Sequence, residues 1–255
     1  MAKKYSIFKI AAAYIGTVVG AGFASGQEVL QFFGYFGLWG LAGIALATGL
    51  FVFFGYQVLN LSHHLKAYSH LPVMHHVGGP WLGKAVDGIT TFFLFGALAV
   101  MAAGAGAIFS EEYRLPALLG STLLIAVTLV TVLLGISRVI TAISSVAPLL
   151  VATVLGVSLF TIFKNPASLL THLSWSEVPR AAAPFWTLAA LLYASYNLIL
   201  AIAVLAPLGS LNRKESLLPG AALGGLGLGL GAGAITLALL ATVPEVTGGK
   251  YPCCK

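Results

Sequence analysis

The sequence predicts an all-α, polytopic integral membrane protein with about seven transmembrane helices. Hydrophobic residues make up 59% of the 255-residue chain and charged residues only 8%, and the mean hydropathy is +0.98. Soluble globular domains carry about 25% charged residues, so this composition excludes a water-soluble domain. A helix needs roughly 20 apolar residues to cross the hydrocarbon core of a bilayer. The apolar stretches of the chain are therefore best counted as membrane spans.

The apolar stretches follow one another closely along the chain. The predicted spans cover approximately residues 8–35, 38–60, 86–109, 115–135, 139–163, 185–208 and 217–243. Little sequence remains between them, so we expect residues 1–255 to form a single transmembrane domain. The first span is too long for a cleavable signal peptide and lacks a small-residue cleavage site, so we expect it to stay in the membrane.

The basic residues indicate the orientation of the chain in the membrane. The net charge is +6, and the connections between spans alternate between the two sides. One side carries Lys3, Lys4, Lys9, Lys66, Lys84, Arg138, Arg213 and Lys214. The other side carries Arg114, Lys164, Arg180, Lys250 and Lys255. The positive-inside rule then predicts a cytoplasmic N-terminus and an external C-terminus. The positive charge is explained by topology, and we expect no nucleic-acid partner.

Two longer connections and the C-terminal tail contain histidine, tryptophan and cysteine residues that could form a site. Residues 61–85 hold five of the six histidines, which could bind a metal ion, since imidazole is a common ligand. Adjacent histidines cannot easily point at one ion, so we expect a solvated interfacial loop on the cytoplasmic side. Residues 164–184 contain Trp175, which suits an interfacial aromatic belt and a short surface or re-entrant helix. Cys253 and Cys254 are adjacent in an atypical tail and show no metal-binding spacing. We therefore expect neither a metal nor a cofactor.

Glycines recur at fixed spacing in the last span. In the stretch GAALGGLGLGLGAGAITLALL, glycines repeat every fourth residue in two series, 225–229–233 and 227–231. Small residues at this spacing let membrane helices approach closely. We interpret the pattern as a packing surface.

The first span is interrupted by residues that are unusual in lipid. The stretch GTVVGAGFASGQE, residues 16–28, contains four glycines, a threonine, a serine, a glutamine and a glutamate. Its two G-x-x-x-G pairs could serve close helix packing, but packing does not account for Ser25, Gln27 and Glu28. A carboxylate within a span is expected to face a cavity or a partner.

The alternative is that the helix stops between Gly20 and Gly26, near the middle of the bilayer. Irregular backbone at this depth is tolerated where it lines a cavity enclosed by protein. The free N–H groups at such a break favour an anion, and the free carbonyl groups can coordinate a cation. Discontinuous midplane helices are typical of secondary transporters. A second break is predicted in span six, where YASYN, residues 193–197, places polar residues near the span's centre.

The residues quoted above also carry a family resemblance. AYIGTVVGAGFASGQEVLQFF, residues 13–33, resembles the first helix of the YkvI-like bacterial membrane proteins. These are distant relatives of the amino acid–polyamine–organocation transporters, which have the LeuT-like fold. The resemblance implies localisation in the bacterial cell membrane and ten helices in two inverted repeats of five.

In that scheme the chain would supply only part of the fold. Residues 1–163 would form the first repeat, residues 185–243 would begin the second, and residues 244–255 would be an atypical tail. We therefore expect a truncated or frame-shifted product. It would lack the last three helices and therefore the sodium site that relatives build between the first and eighth helices. We expect the chain alone to show no ion-coupled uptake.

These observations favour a secondary transporter, or a fragment of one, for a small amino-acid-like solute or organic cation. Transport would be coupled to Na⁺ or H⁺ by alternating access. The candidate residues for solute binding are Thr17, Gly20, Ala21, Gly22, Ser25, Gly26, Tyr193, Ser195, Tyr196 and Asn197. Gln27 and Glu28 are the candidates for coupling to the ion or proton. The alternative is a membrane sensor or receptor subunit that does not transport. No hydrolase or metalloprotease motif is present, so an enzyme is not expected.

Overall fold

The structure, a computed structural model, describes residues 5–166 and 178–242, and every regular element within these residues is helical. The α-helices are α1 (Ile7–Val18), α2 (Ala21–Ala24), α3 (Gln27–Phe32), α4 (Leu38–Leu65), α5 (Leu71–Glu111), α6 (Ala117–Leu133), α7 (Ile136–Lys164), α8 (Trp186–Leu211) and α9 (Lys214–Ala241). Short 3₁₀ helices occupy Gly34–Phe36 and Val178–Arg180.

Five of the described helices, namely α4, α5, α7, α8 and α9, are long and apolar enough to cross a membrane by length and composition. Helices α1 and α6 are also apolar but have only 12 and 17 residues. The predicted class, an all-helical multi-pass membrane protein, is therefore confirmed. The number of seven spans and the LeuT-like arrangement of inverted repeats stay predictions.

The core lies where α1, α4, α8 and α9 pack together. Tyr14 of α1 is fully buried, and its hydroxyl donates a hydrogen bond to the carbonyl of Phe51 at 2.9 Å. Gly55 of α4 and Gly224 of α9 lie against this ring, and a Cβ atom at either position would come within 2.7 Å of it. These glycines allow a large aromatic side chain to fill the space between three helices.

The glycine series in α9 forms a packing surface, as the spacing predicts. Gly225 and Gly229 lie against Val52 and Thr48 of α4, while Gly227 and Gly231 lie against the first span. Only Gly233 has no heavy atom within 4 Å of an added Cβ. By contrast, the outer faces of α5, α6 and α7 expose many large apolar side chains, which suits contact with lipid.

The prediction of a loop over residues 61–85 is wrong. Helix α4 continues to Leu65, and α5 begins at Leu71 and contains a sharp bend at Gly79, whose φ is 70°. Glycine adopts this backbone angle without strain, and the following Pro80 cannot donate a helical hydrogen bond. The glycine and proline thus mark one bend inside helical structure and do not lie in a long loop.

Aromatic residues gather at the end of α4 that is remote from the histidines. Trp39 stacks on Trp186 with ring centroids 5.9 Å apart, in keeping with an interfacial aromatic pair. Trp175, which the sequence predicts in an interfacial aromatic belt, lies outside the described residues. Cys253 and Cys254 also lie outside them.

Candidate functional site

The first span is interrupted at its middle, as its sequence predicts. Helix α1 ends at Val18, and the following Val19 has extended backbone angles. After the single turn of α2, Gly26 adopts a left-handed conformation with φ 76°. The Gly26 N–H donates to the carbonyl of Phe23 at 3.0 Å, three residues back instead of four. A residue with a side chain would be strained at Gly26, so glycine fixes the position of the turn.

The interruption directs the side chain of Glu28 toward α8. Glu28 lies in the first turn of α3, and its Oε1 atom accepts a hydrogen bond from the hydroxyl of Tyr196. The side-chain amide of Asn197 also donates to Oε1, at 3.4 Å. Both partners lie near the midpoint of α8, at the depth where a carboxylate most needs polar neighbours.

Gly22 makes room for this carboxylate. A Cβ atom at position 22 would lie 2.8 Å from Oε2 of Glu28 and 3.3 Å from its Cβ. The side chain of Glu28 therefore folds back over the main chain of α2. One carboxylate oxygen contacts α8 and the other lies beside Gly22, so Glu28 connects α3 with α2 and with α8.

Aromatic rings surround the polar contact. Phe32 lies 5.4 Å from Tyr193 and 5.6 Å from Tyr196 between ring centroids, and the two tyrosine rings are 5.7 Å apart. Tyr193 and Asn197 are each only 2% exposed. We call Glu28, Phe32, Tyr193, Tyr196 and Asn197 the Glu28 cluster.

Phe32 was not among the residues singled out from the sequence. It follows Glu28 by four residues, which places the two side chains on the same face of a helix. That spacing was the available signal, although an aromatic residue in a membrane helix is too common to indicate a site by itself.

The predicted break in span six is wrong, because α8 runs without interruption through residues 193–197. The hydroxyl of Ser195 donates to the carbonyl of Leu191 at 2.6 Å, and the amide of Asn197 donates to the carbonyl of Tyr193 at 3.0 Å. The polar side chains are thus satisfied by their own helix. No glycine lies in this stretch to favour an irregular turn.

Seven of the twelve predicted site residues lie outside the Glu28 cluster and its Gly22 neighbour. These residues are Thr17, Gly20, Ala21, Ser25, Gly26, Gln27 and Ser195. The hydroxyls of Thr17, Ser25 and Ser195 donate to main-chain carbonyls three or four residues earlier in their own segments. Gln27 and Ser195 are exposed. Gly26 shapes the turn and contributes no functional side chain.

One cavity adjoins the interruption, and a second lies beside Tyr193. A cleft of about 370 Å³ lies between the turn at Ser25 and Gly26, helix α7 and helix α9. Its lining residues include Thr153, Ser158 and Thr242, which carry hydroxyl groups. The second cavity, of about 10 Å³, is lined by Tyr193, Phe33 and residues of α4 and α9, among them Thr48. A space of this size suits about one water molecule.

The hydroxyl of Tyr193 is buried and has no hydrogen-bond partner within residues 5–166 and 178–242. Buried hydroxyls normally have a partner, so this group is available to a ligand or a water molecule in the adjoining cavity. In the same described segments, no group of three or more His, Cys, Asp or Glu residues is arranged to hold a metal ion.

The architecture defines a multi-pass helical protein of the cell membrane with a polar cluster beside an interrupted helix. The chain is 32% identical over 248 residues to the uncharacterized membrane protein YkvI of Bacillus subtilis. The aligned region covers 95% of this chain and 69% of that protein. It is also 40% identical over 141 residues to the uncharacterized protein YyaD of the same organism, covering 55% of this chain and 40% of that protein.

The similarity to YkvI extends over nearly the whole chain, so this chain belongs to the YkvI-like family of membrane proteins. No protein-family model and no solved structure matches the chain. The family membership therefore establishes the membrane class, and the function has to be argued from the site.

Proposed function

We propose that the chain binds a small amino-acid-like solute or an organic cation at the Glu28 cluster, as a secondary transporter or as part of one. The observation that carries this proposal is the contact of Glu28 with Tyr196 and Asn197, which joins the interrupted first span to the middle of α8. Carboxylates at such depth are costly, and in membrane proteins they usually serve ion or solute binding.

The charge of the carboxylate explains why a cationic ligand suits the cluster. Among the described residues, the two groups that donate to Glu28, the tyrosine hydroxyl and the asparagine amide, are neutral. They satisfy hydrogen bonds of the carboxylate but leave its negative charge uncompensated. A bound ammonium group, a metal cation such as Na⁺, or a proton on the carboxylate would compensate it.

The aromatic rings favour an organic cation over a hydrated ion. The rings of Phe32, Tyr193 and Tyr196 lie within 5.7 Å of one another beside the carboxylate. A cation within about 6 Å of an aromatic face is stabilised by roughly 0.5–2 kcal/mol. A primary or substituted amine could use both the carboxylate and these faces.

Coupling to an ion gradient would follow from the same carboxylate. If Glu28 binds either a proton or the solute's cationic group, occupancy by one changes the affinity for the other. The interrupted span could then move relative to α8 as its charge changes, in the manner of transporters that have discontinuous helices.

The test combines solute binding with transport. The purified chain is screened against amino acids and amines for ligand-induced thermal stabilisation, and the relative YkvI, reconstituted in liposomes, is assayed for uptake driven by Na⁺ or proton gradients. The proposal expects a common ligand that binds the chain and is accumulated by YkvI. Binding to both proteins without uptake by YkvI would favour a sensor, and the absence of any stabilising ligand would contradict the site.

A further inference from the structure

The small cavity beside Tyr193 lies in the core, where α4, α8 and α9 meet. Nine described residues line its volume of about 10 Å³, and of these nine only Thr48 and Tyr193 have polar side chains. The lining side chains of Phe33, Phe51 and Leu228 are at most 2% exposed, so the cavity does not lie on the surface that faces lipid.

The hydroxyl of Tyr193 needs a hydrogen-bond partner at this place. Its oxygen is buried and has no partner within the described segments of the chain. The ring lies edge-on to Phe33 and Phe51, with centroids 4.9 and 5.8 Å apart, and both of these rings line the same cavity. These contacts restrict the tyrosine ring, so a partner has to come to the hydroxyl. Buried hydroxyls without a partner are rare because they cost free energy.

Thr48 offers an acceptor on the wall of the cavity. Its hydroxyl donates to the carbonyl of Ile44 at 2.7 Å, one turn earlier in α4. Since the proton is used in this bond, the lone pairs of Oγ1 remain for an incoming donor. The same oxygen lies against Gly229 of α9, where an added Cβ atom would overlap it, and Gly229 also lines the cavity.

The volume and the two hydroxyl groups match one water molecule. A cavity holds a water when it offers roughly 10–15 Å³ and polar partners for it. A water can accept from the hydroxyl of Tyr193 and donate to Oγ1 of Thr48, which uses both groups with the correct polarity. No charged side chain is among the described lining residues, so nothing there would compensate an ion. An organic solute is far larger than the space.

We propose that one buried water molecule occupies this cavity and bridges the hydroxyl of Tyr193 to Oγ1 of Thr48. The bridge links α8 to α4 across the core. It also fixes a ring that contacts Phe32 and Tyr196 in the Glu28 cluster. The water belongs to the folded chain, so the proposal does not depend on the proposed transport function.

The sign of the change in stability on Tyr193→Phe tests for the water, with unfolding followed by SDS titration in mixed micelles. If the water is present, the variant leaves it with a single hydroxyl partner, and the equilibrium constant for folding should fall roughly fivefold. If the cavity holds no water, the variant removes a buried hydroxyl without a partner, and folding should be as favourable as before or more so. Tyr68→Phe, at a side chain 67% exposed, is the control and should change nothing.

A second substitution tests the bridge itself. In a Thr48→Val background the water has lost its acceptor, so Tyr193→Phe should no longer destabilise the chain. An equal loss in both backgrounds, or no loss in the Thr48 background, would overturn the proposal.

A measurement on the unchanged chain does not depend on how the variants fold. In an experimental structure that resolves ordered water, a peak is expected at about 3 Å from both hydroxyl oxygens. A well-resolved map without this peak would contradict the bridge.

Discussion

Replacement of Gly22 by alanine tests the packing of Glu28 over the interrupted helix. Gly22 lies within α2 and has no positive φ, so by helix propensity alone the alanine should stabilise the protein by about 1 kcal/mol. The new Cβ would however lie 2.8 Å from Oε2 of Glu28, and the carboxylate would have to move away from α8.

The two effects have opposite signs, and their sizes decide the outcome. A hydrogen bond to a charged group contributes about 1.5–3 kcal/mol, and the bond between Tyr196 and Glu28 is of this kind. The contact of Asn197 at 3.4 Å is long and adds little. The lost tyrosine hydrogen bond costs more than the gain in helix propensity returns. The net effect of Gly22→Ala is therefore a destabilisation of about 0.5–2 kcal/mol.

The free energy of unfolding is measured by SDS titration in mixed micelles. Gly104→Ala serves as the matched control, because an added Cβ at this helical position meets nothing within 4 Å. In a Glu28→Ala background the carboxylate is absent, so Gly22→Ala should no longer destabilise. If Gly22→Ala is as stable as Gly104→Ala, or costs the same in both backgrounds, the packing argument is refuted.

Three further predictions concern the core, the N-terminus and the limits of the site. Gly55→Ala should destabilise the chain by about 1–3 kcal/mol in the same titration, because its Cβ would overlap the ring of Tyr14, whereas Gly49→Ala, with open space around it, should not. Asn212→Ala removes the acceptor of the Tyr5 N–H at 2.8 Å, so hydrogen exchange at that amide should accelerate roughly tenfold. An unchanged rate would show that this hydrogen bond does not protect the Tyr5 amide. Ser195→Ala should leave ligand binding unchanged, since this side chain is exposed and bonds to its own helix, and weaker binding would place Ser195 in the site after all.

The interruption of the first span could be predicted from the sequence because its signals are local. Glycines near the middle of an apolar stretch, followed by Gln27 and Glu28, leave few alternatives to an irregular backbone in a polar environment. Glu28 and Asn197 could be singled out for the same reason, as polar groups in lipid that need partners. Their contact could not be derived, because it depends on how the interrupted span rotates against α8.

Both wrong predictions concern segments that remain helical although they contain polar or helix-breaking residues. The polar residues in span six predict a second break, yet Ser195 and Asn197 donate to carbonyls one turn earlier in an intact helix. The prediction of a loop over residues 61–85 is wrong because Gly79 and Pro80 form a single bend between helical segments. The sequence shows that such residues occur but not which hydrogen bonds they form.

Solute affinity measured for Glu28→Gln tests the central claim most directly. With an amine ligand found by thermal stabilisation, the dissociation constant is compared for the unchanged chain, Glu28→Gln and Glu111→Gln, the last removing an exposed carboxylate at the end of α5. Glutamine keeps the size of the side chain but removes its negative charge, so Glu28→Gln should weaken binding about tenfold or more, equivalent to roughly 1.4 kcal/mol. Glu111→Gln should bind like the unchanged chain. Equal affinities for all three proteins would contradict the assignment of Glu28 as the cation-binding group.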